Sequence, residues 1–206
     1  MLSKRMKQYI AELIEANNSV PKTIELGNEE KEYIEKNNIL SDDTMANLAL
    51  VEKPADQRFA TALIELCDKE TESEVVEENV QFLHQPLSFL RRNKHQFIYV
   101  EAETFSLIGV DGISMEVDDV FDTYSVMLGL KQKKNVETTL KSYLDQHLHG
   151  EGIKYSLLFD ANEGIWNVNV TLDYIVGFSE NLLLAEAYSH IYRFLFGLVE
   201  SLEKEN

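Results

Sequence analysis

Four acidic residues close together in the chain are the side chains best suited to chemistry. They place four carboxylates within one short segment: Glu116, Asp118, Asp119 and Asp122. Carboxylate oxygens are the ligands that Mg²⁺ and Ca²⁺ take in proteins, and Glu101 and Glu103 add to the set if their strand lies alongside. A solvent-exposed acidic loop in an acidic protein produces the same pattern. We therefore treat the four carboxylates as candidate metal ligands.

The sequence motifs that mark common catalytic and cofactor sites do not occur. The phosphate-binding patterns GxxxxGK[ST] and GxGxxG are absent, and so is the hydrolase pattern GxSxG. His147 and His149 form a close pair, but residues two apart on a helix point about 200° from each other. We interpret Cys67 as a core residue, because its acidic neighbours disfavour a reactive thiolate. The sequence assigns no catalytic residue and predicts no cofactor.

The charge balance excludes several classes of partner. The chain has 36 acidic and 19 basic residues, a formal net charge of -17. Phosphate backbones and anionic membrane surfaces both attract positive charge, so binding to nucleic acids or membranes is disfavoured. Cys67 is the only cysteine and excludes an intrachain disulfide. With no signal-peptide pattern and no apolar run that spans a bilayer, we expect a cytoplasmic protein.

The spacing of apolar residues along the chain changes near residue 95. Before that point, apolar residues recur at intervals of three and four, as in Phe59, Leu63 and Cys67, which is typical of amphipathic helices. The predicted helices there are 3–17, 28–37, 57–69 and 73–84, with 38–53 loop-like or weakly helical. We therefore predict a helical N-terminal region over residues 1–95, packed with an α+β domain over residues 96–206.

After residue 95 the apolar period becomes two. Trp166, Val168 and Val170 alternate with polar residues, which indicates a strand with one solvent-exposed face. Asn162-Glu163-Gly164 before it predicts a hairpin turn. The predicted strands are 97–102, 113–117, 123–130, 154–160 and 165–175. Helices are predicted at 133–148 and 180–203. This order predicts an α+β fold, an antiparallel sheet with helices packed on one face.

The last helix has a wider apolar sector than one sheet face can cover. Its main stripe faces the sheet, while Phe194, Phe196 and Val199 flank that stripe. These flanks need another partner, either the N-terminal helices or a second subunit. We therefore predict a possible homodimer or protein partner at this helix.

Three segments together are similar to a family of uncharacterised bacterial cytosolic proteins. They are PLSFLRRNKHQFIYVEAE (86–103), EVDDVFDTYSVMLGLK (116–131) and AYSHIYRFLFGLVESLE (187–203). Members of that family have been labelled branched-chain aminotransferases. Such an activity requires a Schiff-base lysine and a phosphate cradle, and no lysine of this sequence lies in that setting. The resemblance implies no functional residues.

Two functions are compatible with these observations. The absent motifs, the acidic surface and the broad apolar helix favour a non-enzymatic interaction or regulatory module. The alternative is a metal-dependent or small-molecule enzyme that uses the carboxylates around Asp118–Asp122.

Overall fold

The computed structural model describes residues 1–17, 22–54 and 57–203, and the chain divides into two units. Residues 1–58 belong to the first unit and residues from 59 onward to the second. Residues 59–95, which the sequence analysis grouped with the helical region, are therefore part of the same unit as the large sheet.

The first unit combines three helices with a small parallel strand pair. Its elements are α1 (Leu2–Ala16), β1 (Lys22–Leu26), α2 (Asn28–Lys36), α3 (Asp42–Ala46) and β2 (Leu48–Glu52). β1 and β2 pair in parallel, with Ile24 opposite Leu50. Arg58 makes ion pairs with Glu29 and Glu30, the two buried acids at the start of α2. The predicted helices 3–17 and 28–37 are confirmed, whereas neither β1 nor β2 was predicted.

The second unit is built on a seven-stranded antiparallel sheet with the strand order β4-β3-β5-β6-β7-β9-β8. Its strands are β3 (Leu63–Asp68), β4 (Glu74–Glu78), β5 (Gln96–Glu101), β6 (Val110–Val117), β7 (Tyr124–Leu130), β8 (Tyr155–Asp160) and β9 (Ile165–Thr171). The predicted hairpin is confirmed: β8 pairs with β9 without interruption, and Gly164 in the turn takes a φ of 70°. Each strand alternates side chains between the two faces of the sheet.

Helices pack on one face of this sheet, which confirms the predicted α+β fold. They are α4 (Ser88–Arg92), α5 (Glu103–Ile108), α6 (Glu137–His147) and α7 (Leu184–Ser201), with short 3₁₀ turns at Val80–His84, Lys134–Val136 and Leu172–Tyr174. The Tyr188 hydroxyl of α7 donates a 2.9 Å hydrogen bond to the Ile98 carbonyl of β5. Phe194 packs edge-on against Tyr143 of α6.

The predicted helices at 57–69 and 73–84 are wrong, because strands β3 (Leu63–Asp68) and β4 (Glu74–Glu78) run through them. The apolar residues between 59 and 67 fit both a helical period and an alternating one. In the structure Ile64 and Leu66 are buried on the helix-covered face, while Leu63 and Glu65 alternate with them at intermediate exposure. Pairing with β5 satisfies the backbone of β3 and overrides the helical pattern.

The flanks of the last helix are also covered. Phe194, Phe196 and Val199 are 7%, 4% and 1% exposed within the single chain. These side chains are therefore covered without a second subunit, and the homodimer or protein partner predicted at this helix stays an untested prediction.

Trp166, the only tryptophan of the chain, lies inside the second unit. It is 2% exposed, its ring centroid is 5.2 Å from that of Phe159, and its indole N–H donates to the Lys133 carbonyl.

None of the helices in the described part of the chain combines the length and apolar character that crossing a bilayer requires.

Candidate binding site on the open sheet face

The face of the sheet opposite the helices carries a mixture of polar and apolar side chains. One row crosses five neighbouring strands from β5 to β8: Tyr99, Ser114, Met127, Asn169 and Ser156. All five are half-buried or exposed, whereas their chain neighbours Val126 and Val168 are 1% and 2% exposed on the helix-covered side. We call this side of the sheet the open face.

A shallow cavity of about 550 Å³ lies on the open face. Tyr99, Ser114, Asn167 and Asn169 contribute polar groups to its lining. The Ser125 hydroxyl donates a 2.8 Å hydrogen bond to the side-chain oxygen of Asn169 and so fixes that amide. The remaining amide and hydroxyl groups can both donate and accept hydrogen bonds. The cavity can therefore bind a ligand that presents both kinds of group.

A second cavity of about 180 Å³ adjoins the first, because Ser156 and Asn169 line both. It lies beside two exposed apolar side chains, Phe121 and Ile153, which are 58% and 66% exposed. We call the two cavities together the open-face groove. The groove thus combines hydrogen-bonding groups with apolar side chains, and Phe121 and Ile153 lie at its smaller cavity.

The turn between β6 and β7 presents Phe121 in a fixed conformation. The Asp118 carboxylate accepts 2.8 Å hydrogen bonds from the backbone N–H groups of both Val120 and Phe121. The backbone N–H of Asp122 donates to the Asp118 carbonyl, and Asp122 itself takes a φ of 55°. These bonds leave Val120 and Phe121 pointing outward, 82% and 58% exposed. The turn is a closed structure that displays two apolar side chains.

Two basic residues fix the end of this turn. Asp122 makes ion pairs of 2.8 Å with Arg91 and 2.6 Å with Lys94. The hydrogen bond from Lys94, together with the charge of Arg91, holds the pKa of Asp122 below its usual value. Arg91 also pairs with Glu180 at 2.8 Å and lies over the Tyr124 ring at 4.7 Å. One guanidinium therefore links the turn to two other segments.

The four predicted metal ligands do not gather around one point. Lys69 lies between two of them, 3.6 Å from a Glu116 oxygen and 3.7 Å from an Asp119 oxygen. Asp118 accepts bonds from its own turn, and Asp122 pairs with Arg91 and Lys94. Partial burial raises the pKa of Glu116, although the charge of Lys69 opposes that shift. Lysine and arginine side chains from other segments therefore supply the positive charge around these carboxylates.

No group of three or more His, Cys, Asp or Glu side chains arranged for a metal ion occurs among residues 1–17, 22–54 and 57–203. Glu101 accepts a hydrogen bond from the Tyr99 hydroxyl at 2.8 Å, and Glu103 starts α5. The metal site around Asp118–Asp122 stays a prediction that this arrangement does not support.

The remaining residues singled out by the sequence have structural contacts. His147 is the last residue of α6, stacks on the Tyr143 ring at 3.9 Å and bonds to the Tyr143 carbonyl. Cys67 is 4% exposed, as expected for a core residue, but it lies on strand β3 rather than on a helix.

The charged side chains that line the open-face groove are all acidic. They are Asp111 in the larger cavity, and Asp118 and Glu151 in the smaller one. Asp111 pairs with Lys131 at 2.6 Å. The sequence analysis predicted the solvent-exposed face of β9 but did not predict the groove. The groove also includes Phe121 and Ile153, and their proximity depends on the order of the strands in the sheet.

Comparison with protein-family models, with curated proteins and with solved structures found no match. The candidate site therefore rests on the geometry of this chain alone.

Proposed function

We propose that the protein is an interaction module whose open-face groove binds an extended, basic segment of a partner protein. The observation that supports this proposal is the groove itself, which combines hydrogen-bonding groups and acidic side chains with two exposed apolar side chains at its smaller cavity. Each feature matches one property of such a segment.

Charge selects the partner. Asp118 and Glu151 line the smaller cavity in a chain of net charge -17, whereas Asp111 at the larger cavity is paired with Lys131, so the local and the overall charge have the same sign at the smaller cavity. Complementary charge raises association rates and disfavours partners of like charge. A basic segment fits this field, and an acidic one does not.

The apolar side chains at the smaller cavity supply an anchor for the partner segment. Phe121 and Ile153 are more than half exposed beside the smaller cavity, and aromatic side chains are frequent energetic centres of interfaces. An apolar side chain of the partner can pack there, while Asn169 and Ser156 are placed to hydrogen-bond its backbone. The preferred segment therefore carries an apolar residue among basic ones.

Isothermal titration calorimetry with short synthetic peptides tests this function. One peptide alternates Lys with Leu, a second alternates Lys with Ser, and a third alternates Glu with Leu. We expect the Lys–Leu peptide to bind best, the Lys–Ser peptide at least about tenfold more weakly, and the Glu–Leu peptide not at all.

Matched variants separate the groove from general charge attraction. Glu151→Lys changes a groove residue, and Glu163→Lys makes the same charge change in the β8–β9 turn. Phe121→Ser removes the apolar anchor, and Val176→Ser removes an exposed valine that does not line the groove. We expect Glu151→Lys and Phe121→Ser to weaken binding at least about tenfold, and the two controls to change it less than about twofold. Equal effects within each pair would refute the proposal.

A further inference from the structure

The two edges of the seven-stranded sheet differ in how they are protected. The edge strand β4 carries Glu77 and Glu78, and its pairing with β3 is irregular between Leu66 and Cys67. Charge and irregularity are both devices that prevent an edge from pairing with another chain. The other edge strand, β8, pairs regularly with β9 and has no charged residue from Tyr155 to Phe159. β8 is the unprotected edge.

The hydrogen bonds of β8 show which of its residues face outward. The Lys154 carbonyl accepts from the Thr171 N–H, and the Asp160 carbonyl accepts from the Gly164 N–H, both at 2.9 Å. In an antiparallel pair, successive residues direct their backbone groups to opposite sides. Tyr155, Leu157 and Phe159 therefore direct their N–H and C=O groups toward the free edge. Within residues 57–203 these groups make no hydrogen bond.

A second copy of the chain can pair with this edge about a two-fold axis. If the two copies continue one sheet about a two-fold axis, opposed residues must lie on the same face. Centring the axis on Leu157 places Leu157 opposite its own copy and Tyr155 opposite Phe159 of the partner subunit. These are the outward-facing residues, so every pair exchanges backbone hydrogen bonds.

Charge complementarity favours this register. It places Lys154 opposite Asp160 of the partner subunit, and symmetry repeats the pair at the other end of the strand. One oxygen of the Asp160 carboxylate caps the β8–β9 turn, which leaves the other oxygen for Lys154. The Lys154 ammonium donates to the Leu148 carbonyl at 3.1 Å and has two further donors. The centre of the contact carries no charge, so two chains of net charge -17 meet where their repulsion is smallest.

From this geometry we infer that the protein forms a homodimer by antiparallel pairing of β8 with β8 of a second copy, centred on Leu157. The sheet then runs continuously through both subunits. Both open-face grooves lie on the same side of that sheet, since a two-fold axis perpendicular to a sheet preserves its faces. Ser156 lies opposite Leu158 of the partner subunit, in a pair that is not hydrogen-bonded.

The solution mass tests the dimer. Multi-angle light scattering of the full chain at about 100 µM should give twice the chain mass of 23.7 kDa. Lys154→Glu sets a carboxylate opposite Asp160 of the partner subunit and should weaken dimerisation at least about tenfold. Lys141→Glu on α6 makes the same charge change away from β8 and should leave the mass unchanged. A monomer at this concentration, or equal effects of the two variants, would overturn the inference.

Disulfide trapping tests the register. Side chains of pairs that are not hydrogen-bonded approach within disulfide range. Ser156→Cys protein mixed with Leu158→Cys protein should cross-link under mild oxidation, whereas neither variant should cross-link alone. Cys67 is 4% exposed and does not compete. Cross-linking of Leu158→Cys alone would place the axis on Leu158 and overturn the proposed register, and so would the absence of any cross-link in the mixture.

Discussion

Individual residues of the open face show how a small side chain shapes the groove. The sequence analysis offered no site role for Gly112. In the structure Gly112 lies in strand β6 opposite Glu101, and the Tyr99 ring lies across it. Burial, together with the hydrogen bond to Glu101, raises the pKa of Tyr99, so its hydroxyl stays protonated and donates to that carboxylate. Gly112 holds the Tyr99 ring close to the sheet.

Gly112→Ala should destabilise the protein by about 1–3 kcal/mol, the usual cost of overpacking. The new Cβ would overlap with the hydroxyl end of Tyr99 and force the ring away from Glu101. Urea unfolding measures the change. Ser114→Ala, on the same face of β6, is the control and should cost less than about 0.5 kcal/mol.

The reason for the destabilisation can be checked with a double-mutant cycle. If Tyr99 is the group displaced, Gly112→Ala should cost much less in a Tyr99→Ala background. An undiminished cost would mean that the strain lies in the backbone instead.

At the scale of elements, sequence periodicity predicted the strands after residue 95 better than those before it. Strands β5, β7 and β9 each have an alternation that excludes a helix. The β8–β9 turn was also identifiable, because Asn162 and Gly164 are typical turn residues. In the structure the Asp160 carboxylate accepts hydrogen bonds from the N–H groups of Asn162 and Glu163, and Gly164 has a positive φ. Strand β3 was missed because its apolar residues fit both periods, and only its neighbours in the sheet decide between them.

The β6–β7 turn gives a prediction at this scale. Asp118→Ala removes the acceptor for the N–H groups of Val120 and Phe121 and should lower the free energy of unfolding by about 1–2 kcal/mol. Asp118→Asn keeps an oxygen at the same place and should cost less than half as much. Urea unfolding of both variants is the measurement, and equal losses would show that charge rather than capping matters at Asp118.

The same pair of variants connects the turn to the groove. Because the capped turn holds Phe121 at the smaller cavity, Asp118→Ala should also weaken the Lys–Leu peptide. Asp118→Asn should weaken it less, because it removes the same charge but keeps an acceptor for the turn.

For the whole molecule, the order of the predicted elements indicated the α+β class and the composition indicated the acidic charge, but neither indicated the site. Strand order is a property of the folded sheet, so residues as distant as Phe121 and Ile153 cannot be placed together from a single sequence. The four candidate metal ligands illustrate the same limit. Their closeness along the chain was visible, whereas the basic residues between them, Lys69 and Arg91, come from other segments.

A net charge of -17 predicts a salt effect on stability. Raising NaCl from about 0.01 M to about 0.15 M shortens the Debye length from about 30 Å to about 8 Å and screens the repulsion among acids. We expect the melting temperature to rise, by about 2–4 °C for each kcal/mol gained. Differential scanning calorimetry measures it, and a fall would mean that the attractive ion pairs outweigh the repulsion.

Mg²⁺ at the same ionic strength should raise the melting temperature no more than NaCl, because lysine and arginine already pair with Glu116, Asp119 and Asp122. A larger rise that is lost in Asp118→Asn/Asp119→Asn would instead establish the metal site predicted from the sequence.

The position of Trp166 has a practical consequence. It is the only indole in the chain, it is screened from water, and it contacts Phe159, whose backbone faces the free edge of β8. Its emission should therefore be blue-shifted in the native protein and move to longer wavelength when the sheet opens. The chain thus carries an intrinsic fluorescence reporter beside the edge where a second copy is expected, and no added dye is needed to follow that contact.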